Sequence, residues 1–176
     1  PPPIPLDEAQ ARLLGMATPL GAEILPVELA LGRYLAEPLA ARRTQPPSDL
    51  SSMDGYAMRA DDLAGPWTVV GESAAGHPFS GRVNQRETVR ISTGAVMPDC
   101  SGAVLLQENA IREGDRLRLA ENEPTPRHIR RAGFDFRHGA TLLDAGVRLQ
   151  AAQIALAVAG GHGRVQAGRR PSVAIL

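Results

Sequence analysis

Ser51-Ser52-Met53-Asp54-Gly55-Tyr56-Ala57 stands where the pattern of the chain changes. Just before it, Pro46-Pro47-Ser48-Asp49 has loop composition, and a domain boundary is expected near there. After it, short β-type runs separated by Gly and Pro continue to about Phe136. Trp67 to Val70, Thr88 to Ser92, Ala103 to Gln107 and Leu117 to Leu119 read as strands. Glu113-Gly114 reads as a hairpin turn, since Gly accepts a positive φ. This pattern predicts a compact β barrel or sandwich. Within the heptapeptide, an Asp before Gly has two readings. It caps backbone N–H groups of a turn, or it stands as an exposed carboxylate ready to bind a cation or move a proton.

Toward the N-terminus, Pro1 to Pro5 is a stiff lead-in. Asp7 followed by Gln10 resembles a capping box, and Ala9, Leu13, Leu14 and Ala17 form an apolar stripe. A helix is therefore predicted from Asp7 to about Ala17, with Pro19 as its stop. Glu23 to Leu29, around Pro26, reads as an edge strand. A helical turn near Ala30 to Tyr34 and a strand from Leu39 to Arg43 follow.

Toward the C-terminus, Gln150 to Ala159 has helical composition, closed by Gly160-Gly161. Arg164 to Ala167 alternates as a strand. Pro171 to Leu176 reads as a strand buried on both faces, of the parallel-sheet kind, and the sequence is read as cut within it.

Charge and composition exclude several functions. The 19 basic and 19 acidic residues balance, which argues against a general nucleic-acid or anionic-membrane binder. All basic residues are Arg, so Schiff-base and Walker-type lysine chemistry is excluded within this stretch. No apolar run approaches the roughly 20 residues needed to cross a bilayer. The single cysteine, Cys100, forms no internal disulfide, and a cytoplasmic location is expected. His77, His128, His138 and His162 show no zinc-ligand spacing.

Two further stretches carry polar chemistry. Arg90-Ile91-Ser92-Thr93-Gly94-Ala95-Val96-Met97-Pro98 ends a strand in hydroxyls and Gly, presenting N–H and O–H donors that suit an oxyanion, or making an ordinary strand exit. Arg127-His128-Ile129-Arg130-Arg131-Ala132-Gly133-Phe134-Asp135 is a basic run closed by an acid. It is a solvated face or a phosphate-binding set of Arg forks.

Taken together, the order and spacing of these stretches resemble the molybdopterin molybdenumtransferase family, which includes bacterial MoeA and the E domain of gephyrin. The likeness runs through Ala30-Leu31-Gly32-Arg33, Pro46-Pro47, Ser52 to Ala57 and Ala75-Gly76-His77-Pro78. It continues through Arg90 to Pro98, Ala103 to Glu108, Ile129-Arg130-Arg131 and Arg170 to Ala174. Two positions depart from it: the family commonly has Asn at His128 and Glu at Phe134.

The resemblance implies an α+β, predominantly β fold, an elongated unit with an inserted β-barrel-like domain. Its segments would be 1–21, an N-terminal helix packing on a domain absent here; 22–44 with 140–170, a discontinuous linker and dimerisation domain; 45–139, the inserted β-rich domain; and 171–176, the first strand of a molybdopterin-binding domain. The implied activity inserts molybdenum from molybdate into adenylated molybdopterin with release of AMP. Asp54, Thr93 and Asp135 would be catalytic; Arg130, Gly94, Ala95 and Glu108 would bind substrate; Asp54 and Asp135 would hold Mg²⁺ or face the molybdate. A homodimer and a molybdopterin adenylyltransferase are the implied partners. The fragment by itself is expected to be inactive. The alternative is a non-catalytic dimerising scaffold of the same family.

Overall fold

The computed structural model describes residues 3–18 and 20–175. The stop expected at Pro19 and the end of the expected last strand at Leu176 lie outside these residues, as does the start of the Pro1 to Pro5 lead-in. The chain divides into two compact units. One is built from the residues up to Arg42 and from Gly139 onward, the other from Arg43–His138.

In the first unit, α1 (Leu6–Met16) is the predicted helix, but its capping box is not formed. Pro5 occupies the N-cap without a side-chain cap, and Asp7 and Glu8 lie in the first turn, where their charge favours the positive end of the helix dipole. The apolar stripe is also unpacked: Leu13 and Leu14 are exposed, and α1 buries no residue. The edge strand is shorter than expected. β1 (Ala22–Pro26) ends at Pro26, whose φ of -54° starts a 3₁₀ turn at Val27–Leu29, ahead of the turn expected near Ala30. β2 (Leu39–Ala40) stops well before Arg43.

Three later elements complete this unit's framework. β11 (Thr141–Leu143) pairs with β2 and β12 (Arg164–Gly168) with β1, both antiparallel. Between them, α2 (Ala151–Ala159) starts at a capping box in which Gln150 and Gln153 satisfy each other's backbone N–H groups. Val27, Leu35, Leu39, Leu149, Ala157 and Val165 form the core. Residues 171–175 form no strand and are exposed, contrary to the sequence reading. An extended segment becomes a strand only when its N–H and C=O groups find a partner, and none pairs with it among the described residues.

The second unit is built on one six-stranded sheet. In chain order its strands are β4 (Gly55–Met58), β5 (Trp67–Ser73), β6 (Glu87–Ile91), β7 (Ala103–Leu106), β8 (Ala110–Glu113) and β9 (Arg116–Leu119). Their spatial order is β7-β4-β6-β5-β9-β8, with β5 and β6 parallel and the other neighbours antiparallel. The sheet curls as a half barrel. Gly114, at φ 61°, turns the β8–β9 hairpin.

Right after the turn expected at Asp54, β4 is a strand buried throughout. Successive side chains of a strand face opposite sides. Tyr56 and Met58 accordingly join Trp67, Leu105 and Leu117 in one cluster, while Ala57 joins Ile91, Ala95, Val104 and Ile129 in the other. Gly55 has its own reason: a Cβ there would lie 2.1 Å from the Leu105 carbonyl oxygen. A short ladder, β3 (Leu50–Ser51) with β10 (Ile129–Arg130), completes the unit.

Candidate functional site

Ser51 is where the three polar stretches meet. Its N–H donates to the Ala95 carbonyl at 2.9 Å, and its own carbonyl accepts from Gly94 at 2.8 Å. On the other side Ser51 faces Ile129 in the β3–β10 ladder, and the Ser52 N–H donates to the His128 carbonyl at 2.8 Å. The Ser51 hydroxyl donates to the Met53 carbonyl at 2.6 Å, and this closes the turn that carries Asp54. Residues far apart in sequence are thereby held on one short stretch of backbone.

Asp54 leaves that turn exposed, with one carboxylate oxygen fixed. Its Oδ1 accepts from the Thr93 N–H at 2.7 Å and from the Thr93 hydroxyl at 3.0 Å. No donor reaches Oδ2 among the described residues. The Thr93 backbone N–H, then its hydroxyl, and more weakly the charge of Arg90 hold the Asp54 carboxyl below the usual aspartate range. The capping reading of Asp54 thus holds for Oδ1, which accepts from the Thr93 N–H, while Oδ2 has no donor among the described residues.

The oxyanion donors expected here are otherwise engaged. The Gly94 N–H is committed to Ser51, the Ala95 N–H to the Ser92 carbonyl at 3.0 Å, and both Thr93 donors to Asp54. Ala95 is also fully buried. The expectation of free N–H groups at Gly94 and Ala95 is thus corrected: a tight turn satisfies its own donors when its carbonyl partners lie within reach.

The basic run folds into a second turn. Arg130 is paired with Asp135 and lies over the Phe134 ring, 5.4 Å from its centroid. Arg131 donates to Asp49 Oδ2 at 2.5 Å, and the Ala132 N–H donates to Asp49 Oδ1 at 2.8 Å. That N–H first, then the Arg131 guanidinium, lowers the Asp49 carboxyl. Glu108 is exposed in a 3₁₀ turn at Gln107–Asn109, and the structure gives it no partner among the described residues.

Asp49, Arg90 and the Ser51 hydroxyl were missed by sequence reasoning. Arg90 donates to the Gly55 carbonyl at 3.2 Å and to Gln107 Oε1 at 3.1 Å, is bonded to the Ile91 carbonyl, and covers the Tyr56 ring at 5.8 Å. Its place at the head of the Ile-Ser-Thr-Gly stretch was the available signal. A cavity of about 370 Å³ beside it is lined by Glu72 and Asp115 as well as Arg112, so its charges offset one another. Among the described residues no three His, Cys, Asp or Glu side chains gather as a metal site. Asp54, with one free oxygen, nevertheless fits Mg²⁺, which takes one or two carboxylates and completes its shell with water and substrate phosphate. Asp135, paired with Arg130, fits less well.

Known proteins show the same arrangement of sequence. The family described as MoeA N-terminal region (domain I and II) matches residues 4–161. This chain belongs to that family. Among curated MoeA-type relatives, the molybdopterin molybdenumtransferase of Haemophilus influenzae is 33% identical over 175 residues, covering 97% of this chain and 43% of its own. That of Nostoc sp. is 34% identical over 160 residues, covering 87% and 37%. A crystal structure of the molybdopterin biosynthesis MoeA protein from Pyrococcus horikoshii OT3 matches with a TM-score of 0.87 at 30% identity, over 96% of this chain and 46% of that one. The chain spans less than half the length of these relatives.

Proposed function

We propose that this chain is the N-terminal part of a molybdopterin molybdenumtransferase, which inserts molybdenum from molybdate into adenylated molybdopterin and releases AMP. The observation that carries this reading is the joining of three stretches at Ser51–Ser52, which places the Asp54–Thr93 pair and the Arg130–Asp135 pair on turns that share one ladder. The reading further includes a cytoplasmic homodimer, a hand-over of substrate from a molybdopterin adenylyltransferase, and Mg²⁺ held by Asp54 with the substrate phosphates. Neither nucleic acid nor a membrane enters it; no helix among the described residues is long and apolar enough to cross a bilayer.

The roles follow from charge. Molybdate is a dianion, so an ionised Asp54 repels it unless a cation stands between them. Asp54 is better suited to hold Mg²⁺, or to orient a water toward the phosphoanhydride, through its free Oδ2. Mg²⁺, when bound, neutralises charge on the phosphate as AMP leaves. Thr93 keeps Asp54 ionised and aimed. Arg130 supplies positive charge moderated by Asp135 and so attracts phosphate or molybdate without holding it irreversibly.

The test is molybdate-dependent AMP release by the full-length protein that carries this chain, beside Asp54→Asn. Activity that falls about a hundredfold or more in a folded variant supports the assignment. A folded, dimeric and silent full-length protein overturns it and leaves a scaffold role. The isolated chain is expected to show no turnover.

A further inference from the structure

The chain has three phenylalanines, and they are treated differently. Phe79 is packed between Gly71 and Gly81, where an added Cβ would come within 2.5 Å of its ring on either side. Phe136 is half-buried, on a segment whose backbone pairs with Gln45. Phe134 is 71% exposed. Its backbone is nonetheless pinned: the Gly133 N–H donates to Pro46 at 2.9 Å, the Phe134 N–H to Arg131 at 3.0 Å and the Asp135 N–H to Gln45 at 3.0 Å. The turn is therefore fixed, and the Arg130 guanidinium, itself paired with Asp135, lies over the exposed ring.

A second cation lies against the same turn, at Gly133. Gly133 has φ 74°, and a Cβ there would meet Arg137 Cγ at 2.7 Å and Nε at 3.2 Å. The bare glycine thus lets Arg137 fold against the turn next to Phe134. Arg137 forms no ion pair among the described residues, whereas Arg130 and Arg131 each have a carboxylate. An exposed aromatic ring on a fixed turn and a guanidinium without an ion pair together suit a ligand with a planar ring and a negative group.

We propose that Phe134 and Arg137 form a subsite for a phosphate-bearing heteroaromatic ligand, the ring stacking on Phe134 and the phosphate meeting Arg137. The inference deepens the function proposed above, because it assigns a ring and a phosphate of that substrate class to named residues. It also gives the Phe at position 134 a purpose of its own: a Glu there would supply no stacking face and would draw Arg137 away from phosphate.

Binding to this chain, followed by NMR with 5′-AMP as probe, tests the subsite apart from any turnover. With only three Phe rings to assign, the Phe134 signals can be read directly. AMP is expected to shift them upfield in a saturable way. Phe134→Leu, which keeps apolar area but loses the π face, should weaken AMP about five- to tenfold and leave ribose 5-phosphate unaffected. Phe134→Tyr should restore the affinity, and Arg137→Gln should weaken both probes. The proposal is overturned if AMP leaves the Phe134 signals unmoved, or if Phe134→Leu binds AMP as the parent chain does. It is equally overturned if Phe134→Leu weakens ribose 5-phosphate and AMP alike. Failure here leaves molybdate-dependent AMP release to be judged separately.

Discussion

Two turns of the second unit each present an aspartate, and they handle its charge in opposite ways. Asp54 is bound by neutral donors, the N–H and hydroxyl of Thr93, so its full negative charge remains. Asp135 is bound by the Arg130 cation, so the pair is close to neutral. A hydrogen bond from a neutral group orients and ionises a carboxylate; a salt bridge orients and compensates it. The first arrangement attracts a cation. The second leaves a pair with little net charge. Two acids of one candidate site are therefore not interchangeable.

Glycines beside the two turns give the largest contrast. Gly55→Ala drives a Cβ to 2.1 Å from the Leu105 carbonyl oxygen of the paired strand β7, a contact with backbone that no side-chain rotation relieves. We expect a loss of about 3 kcal/mol or non-folding, measured by urea unfolding. Asp54→Asn and Asp135→Asn come next, compared in the full-length protein. The first should lower turnover about a hundredfold, the second about tenfold, since the second removes compensation rather than the carboxylate proposed to hold Mg²⁺. Equal losses would break the distinction drawn between the turns.

Gly133→Ala is milder than Gly55→Ala, because the contact is with the flexible Arg137 side chain and the main cost is the φ of 74°. About 1 kcal/mol is expected by the same unfolding measurement. The smallest effect is on acid stability. The Asp54 carboxyl is lowered in the folded chain, so its contribution is present above the ordinary aspartate pKa and fades as pH falls through the lowered value. Thr93→Val removes the hydroxyl donor and retains the N–H. The Asp54 carboxyl should then titrate higher, by NMR, and unfolding should differ from the parent chain only above that acid window. An unchanged titration would mean that the Thr93 hydroxyl has no hold on Asp54.

The sequence disclosed elements whose signals are local. α2 was legible from its apolar composition and closing glycines, and the β8–β9 hairpin from Gly114. β4 was hidden because it is buried on both faces and shows no alternation, and because Asp54-Gly55 imitates a turn. The glycine there serves close approach, not a bend. The parallel β5–β6 pairing joins residues that no local period relates. The stripe on α1 was correctly seen as apolar, but its burial does not follow from pattern alone. At the candidate site, the family resemblance singled out Asp54, Thr93 and Arg130, whereas only three-dimensional pairing revealed the bonds of Asp49 and the engaged N–H groups of Gly94 and Ala95.

Ser51 gives its neighbours a shared fate. Its backbone bonds to Gly94 and Ala95 on one side, and its β3 ladder reaches Ile129 and Arg130 on the other. Substitutions in the Thr93 turn and in the Arg130 turn therefore act on one joint, although some 37 positions separate Thr93 from Arg130 in sequence. Their effects should fail to add in a double-mutant cycle. A lineage that alters one turn thus changes which alterations the other can tolerate, and the three stretches would drift through sequence space as one unit.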